Sequence, residues 1–168
     1  MSMICSVTGL SSAQVEALRA TPSLATGVAM ASLGGDGDLS QLGPLQPELD
    51  LQKSWHILHY LFIGSVDDTS SPGGTLLAGE ELGEDVGYGP ARLLDESMTA
   101  EFARFLQGLD ADSLLARMNI GEMANAGVYA VSDDDADLRE EVAYFFPQLR
   151  DYVVQVAQKQ GGLLTWLS

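Results

Sequence analysis

Leu-Asp-Leu-Gln-Lys-Ser-Trp-His-Ile-Leu-His-Tyr-Leu-Phe-Ile-Gly, residues 49–64, is the stretch on which the fold turns. Leu51, Trp55, Leu58 and Phe62 recur at spacings of four, three and four, the period of a helix with one buried stripe. Asp50 is placed to cap this helix at its start, and Gly64 to stop it. The same turns carry Lys53 and both histidines of the chain, His56 and His59. Any imidazole chemistry, whether acid–base or metal binding, has to come from here.

Upstream, Met3 to Gly9 is rich in β-favouring residues and reads as a short first strand containing Cys5. Ser11 and Gln14 form a capping box that opens a helix with Val15 and Leu18 on its apolar face, ended by Pro22. The pattern over 23–33 allows a further short helix, and residues 34–47, dense in Gly, Asp and Pro, read as a surface loop. Downstream, residues 65–74 are a second loop, and Gly79, Gly83, Gly87 and Gly89 punctuate a segment that ends in a strand at 91–94.

Beyond Ser97 the pattern is helical. Phe102, Phe105, Leu106 and Leu109 share a face up to Gly108, and one or two short helices follow over 110–123. Residues 128–131 allow a short strand. Leu138, Val142, Phe145, Leu149, Val153 and Val156 then mark the longest helix, which Pro147 is expected to bend or split. Gly161 and Gly162 stop it before a last strand at 163–167. Strands separated by helical segments predict a single α/β domain over 1–168, with a small mixed sheet covered by helices and some parallel pairing.

The chain has 168 residues and a net charge of −16, set by 24 acidic against 8 basic side chains. Such a surface repels phosphate backbones and anionic membranes, so neither nucleic acid nor membrane is expected as a partner. A basic protein would instead be steered toward it. Cys5 stands alone, so no internal disulfide can form, and a thiol in a buried strand behaves as a small hydrophobe. No apolar run reaches membrane-spanning length and no signal-peptide pattern opens the chain, which together point to a soluble cytoplasmic protein.

His56 and His59 are neighbours on one helix face, but a metal normally needs a third ligand and no H-E-x-x-H pattern is present. No metal or cofactor is therefore expected. His59 is a candidate general base, with Glu80 or Glu81 brought close by the fold. Trp55 belongs to the core, its indole N–H bonded across the domain. Lys53 is read as solvated or ion-paired. Gly87-Tyr88-Gly89-Pro90 forces an irregular turn without either nucleotide-loop signature, and Arg92 is set to pair with nearby carboxylates or hold an anion. Asp133, Asp135 and Asp137 fail the calcium-loop spacing and mark a helix start.

The Leu49–Gly64 helix and the segment from Leu77 to Leu94, with its Gly-Glu-Glu-Leu-Gly-Glu-Asp and Gly-Tyr-Gly-Pro-Ala-Arg, resemble the YfbM-like family of small bacterial proteins, a domain of unknown function. Met1-Ser-Met-Ile adds to the likeness, which runs over essentially the whole chain. The resemblance implies a three-layer αβα domain in a cytoplasmic bacterial protein and brings no catalytic residues with it.

Two functions are expected to compete. One is an interaction module, immunity- or antitoxin-like, that binds a basic partner. The other is a small-ligand binder or enzyme whose cleft is formed by the 53–59 helix and the 79–92 loop through Lys53, His59, Glu80, Glu81, Tyr88 and Arg92. A homo-oligomeric structural role is a third.

Overall fold

The computed structural model describes residues 2–168; Met1, which opens the Met-Ser-Met-Ile stretch, lies outside the described residues. Its centre is a five-stranded sheet in the order β2-β1-β5-β4-β3, built from β1 (Cys5–Leu10), β2 (Leu49–Asp50), β3 (Glu80–Asp85), β4 (Pro90–Leu94) and β5 (Gly162–Leu167). Strand alternation sends Cys5, Val7, Leu94 and Leu163 into one apolar cluster and Leu10, Leu82, Leu93, Leu164 and Trp166 into another on the opposite face. The second cluster is closed by α1 (Ser12–Ala20) and α2 (Ser23–Ser32). The first is closed by α3 (Trp55–Ile63), α4 (Glu96–Gln107), α5 (Ala111–Leu115), α6 (Ile120–Ala126) and α7 (Asp135–Gln158). Helices on both faces of one sheet make three αβα layers.

All four strand pairings are antiparallel, which corrects the expected mixed sheet with parallel pairs. A single crossover helix returns the chain to the end where it began and makes the next strand parallel. Here two helices separate β1 from β2 and four separate β4 from β5, and the strands they deliver run reversed. Of the other two pairs, β3 and β4 form a hairpin across the Gly87–Gly89 turn, and β1 and β5 join the two ends of the chain. β3 escapes a period-2 reading because Leu82 is its one buried side chain. It is an edge strand, and α2 protects it: a bulge between Leu82 and Asp85 puts Gly83 at φ +77, and the Thr26 hydroxyl accepts from the Glu84 N–H at 2.8 Å.

The opening helix is shorter than its stripe. Leu49 and Asp50 pair with β1 as β2, and Asp50 accepts from the Gln52 N–H at 2.7 Å in a turn rather than capping a helix. Leu51 is nonetheless fully buried, and α3 runs from Trp55 to Ile63, capped by Gly64 in the left-handed conformation at φ 71. The capping box of Ser11 and Gln14 is present, and Asp134 caps α7 with Asp135 and Asp137 in its first turn. Residues 128–131 make no strand; Val128 is tied back to Met123 by a 3.0 Å hydrogen bond.

Pro147 neither splits nor ends α7, which is one element of 24 residues. The helix holds because Leu138, Val142, Phe146, Leu149, Val153 and Val156 are all buried along it. Phe146, not Phe145, belongs to that stripe. Pro147 offers no N–H to the Ala143 carbonyl. Pro147→Ala is therefore expected to stabilise the protein by about 2 kcal/mol, seen as a higher urea midpoint at unchanged slope. An unchanged or lower midpoint would contradict this.

Candidate functional site

The first turn of α3 is fastened to three other segments by its side chains. Trp55 donates its indole N–H to the Met3 carbonyl at 3.1 Å, as the sequence leads one to expect, and stacks on His56 with ring centroids 4.6 Å apart. Nδ1 of His56 accepts from the Tyr129 backbone N–H at 2.9 Å, so the ring proton sits on Nε2, which donates to the Val66 carbonyl at 2.8 Å. The Tyr129 hydroxyl accepts from the Met3 N–H at 3.0 Å. Both nitrogens of His56 thus bind backbone, and the tautomer is set by its partners. A preference for these roles is invisible to residue-type reasoning, because the partners are peptide groups.

His59 sits one turn further on, with its ring centroid 6.3 Å from that of His56. It is completely buried, and neither ring nitrogen meets a hydrogen-bond partner among the described residues. Burial pushes its pKa down to about 4; neighbouring His56 adds to this, while Asp68 and Asp67 oppose it. At neutral pH the ring is uncharged and out of reach of solvent.

The 53–59 segment and β4 do meet, at a groove of about 390 Å³ whose walls include Trp55, His56, Asp67, Thr69, Leu77 and Arg92. The side chains that line it are therefore His56 and Arg92 rather than His59 and Tyr88. Arg92 faces Glu81 across the β3–β4 ladder and donates to it from Nη2 at 3.0 Å. Glu80 is paired instead with Arg19 at 3.2 Å, beside the Arg19–Asp95 bond of 3.3 Å. Tyr88 is half-buried in its turn, its backbone N–H donating to the Leu167 carbonyl at 3.2 Å. Lys53 is exposed just before α3. Lys53, His59, Glu80, Glu81 and Tyr88 do not line the groove. Among the described residues, no three His, Cys, Asp or Glu side chains converge in a metal-binding arrangement.

The outer surface has a pattern of its own. Five of the 24 carboxylates, Glu80, Asp95, Glu81, Asp135 and Asp151, are ion-paired among the described residues. On α7, Asp137, Glu140, Tyr144 and Asp151 fall at spacings of three, four and seven, so they lie along one exposed face. Tyr144 is 64% exposed, the most exposed of the large apolar side chains. No helix among the described residues is long and apolar enough to cross a membrane.

Fold and site together define an αβα domain with an antiparallel sheet, a histidine locked by backbone bonds in the wall of a groove and an acidic exterior. The chain belongs to the family described as Domain of unknown function (DUF1877), whose profile matches residues 1–166. It is similar in structure to YfbM, a protein of unknown function from Escherichia coli, with a TM-score of 0.70 at 18% identity over 99% of this chain and 100% of that one. At that identity the likeness speaks for the fold alone. No curated protein matches the chain.

Proposed function

We propose that the protein is an interaction module that takes a basic partner protein on its carboxylate face, in the manner of an immunity or antitoxin protein. The observation that carries this is the exposed stripe of α7, where Tyr144 stands among Asp137, Glu140 and Asp151. Tyrosine is among the residues enriched at the energetic centre of interfaces, and a polar rim is its usual surround. Both imidazoles support the same conclusion: His56 is spent on backbone bonds and His59 is sealed. The charge supplies long-range steering, and the tyrosine supplies the contact that persists.

Capture of proteins from a cell lysate at about 0.1 M and about 1 M salt tests this, because screening shortens from about 10 Å to about 3 Å over that range. A salt-sensitive basic partner is expected. Tyr144→Ala should weaken its binding by about tenfold or more, and Glu140→Lys should slow its association. Failure to retain any salt-sensitive protein would overturn the proposal.

The groove favours a second reading, a small-ligand site with Arg92 as the anchor for an anion. Trp55 lines that groove, whereas Trp166 lies in the opposite cluster, so a change in tryptophan emission on adding small carboxylates or phosphates would report its occupation. The signal should vanish in Arg92→Gln. Emission that no such compound alters would remove the ligand reading.

A further inference from the structure

We propose that residues 65–73 form a strap over His59 that protonation of His59 releases, opening one wall of the groove under mildly acidic conditions. The strap is recognised by what lies on either side of His59. Three residues earlier on the same helix face, His56 holds the strap by its 2.8 Å bond to the Val66 carbonyl. Four residues later, Ile63 lies so close to Gly73 that a Cβ there would fall 2.6 Å from its side chain. His59 lies between these two fastenings, and it is fully buried although α3 ends one turn beyond it.

The strap itself is lightly held. Residues 67–70 are exposed, and the side-chain bonds of Ser65, Asp68 and Ser70 are all local to the loop. Its Asp68 carbonyl packs against Gly74, just beyond the strap in the Pro72–Leu77 turn. The strap also contributes Val66, Asp67 and Thr69 to the groove. Displacing it therefore changes the groove directly.

Burial, rather than the charges around the ring, gives the direction. Asp67 and Asp68 of the strap attract a protonated His59, and His56 of α3 repels it. The 3-10 turn Pro72–Leu77 packed on α3 carries no ionisable side chain. On α4, Glu101 faces a separate pocket with Thr69 and Thr75, and on α7, Glu141 accepts from the Ser54 hydroxyl before the start of α3. Burial is the largest influence and opposes the charge. A proton on His59 is thus accommodated by exposing the ring to solvent, against the weaker pull of the strap's two carboxylates. A ring that titrates near 6.5 when open and about 4 when covered favours opening roughly thirtyfold more at about pH 5 than at about pH 7.5.

Hydrogen exchange of the full chain at pH 7.5 and pH 5.0, corrected for the intrinsic chemical rate, is the test. Amides of 65–77 should lose about thirtyfold of their protection at pH 5.0 while those of α7 and β5 keep theirs. His59→Phe, a ring of similar size that cannot take a proton, should abolish the difference, and His59→Leu should do the same if the larger ring distorts the core. His56 remains in both variants, so they separate the two imidazoles. Equal protection of 65–77 at the two pH values, a loss spread evenly over the chain, or the same pH response in both variants would each overturn the proposal.

Discussion

Cys5 in the folded protein is expected to react with iodoacetamide about a thousandfold more slowly than in the denatured chain. The thiolate is the reactive form, and its pKa is pushed up from 9.0 to about 12. Burial is the main cause. The Asp50 carboxylate adds to it, and Arg92 works against it. The position explains the burial: β1 lies between β2 and β5, with Cys5 opposite Leu167 and its backbone bonded to Gln52 at 3.1 Å and Leu51 at 2.9 Å. Three powers of ten in thiolate population follow from the displaced pKa alone, before access is counted. Mass spectrometry of labelling at pH 8, in buffer and in strong denaturant, measures the ratio. A native rate within about tenfold of the denatured one would show that Cys5 is not held as described.

The same displacement has a sign in stability. A group whose proton is held more tightly in the folded state stabilises fully below its unfolded pKa, here 9.0, and that contribution is lost as pH rises toward about 12. Alkaline solutions should therefore loosen the β2–β1–β5 region. At neutral pH Cys5 stays a thiol and does not act as a nucleophile.

What could be read in advance divides along physical lines. Caps and stops are local, so Ser11 with Gln14, Gly64 and the aspartates before α7 are legible from a few neighbours. Stripe residues such as Trp55 and Leu58 are legible because burial repeats with the helix. Strand direction is not local; it depends on how many helices intervene and where they leave the chain. β3 is hidden for a different reason, since an edge strand with one buried residue has no alternation to detect. At the site, the meeting of α3 with β4 was legible as two segments, but its chemistry was not. Which histidine reaches the groove depends on where the loop after α3 lies along the helix, and it meets His56 through Val66. His56 is then fixed by the Val66 carbonyl and the Tyr129 amide, groups every residue carries.

Phe146→Ala is expected to destabilise the protein by about 3–5 kcal/mol, and Phe145→Ala by only about 1 kcal/mol. Spacing admits either residue in the stripe from Leu138 to Val156; the sequence reading takes Phe145, and the structure puts Phe146 there instead. The structure separates them by what they touch. Phe146 is fully buried, with its ring edge-on to Phe62 at 6.1 Å and the Arg150 guanidinium 5.4 Å from its centroid. Phe62 in turn meets Phe102 at 6.4 Å and Phe105 at 5.7 Å, so Phe146 completes a junction of α3, α4 and α7. Removing it leaves a cavity that three helices border and none can close alone. Phe145 is half-buried and lies edge-on to the exposed Tyr144 at 4.9 Å, where truncation leaves a surface dent rather than a void. Urea unfolding of the two variants gives the comparison directly. The outcome reaches past the core, because one residue along a helix is a rotation of about 100°. If Phe145→Ala were the costlier change, α7 would be turned by that amount and Tyr144 would no longer face solvent. The proposed partner surface of Asp137, Glu140 and Tyr144 would fall with it.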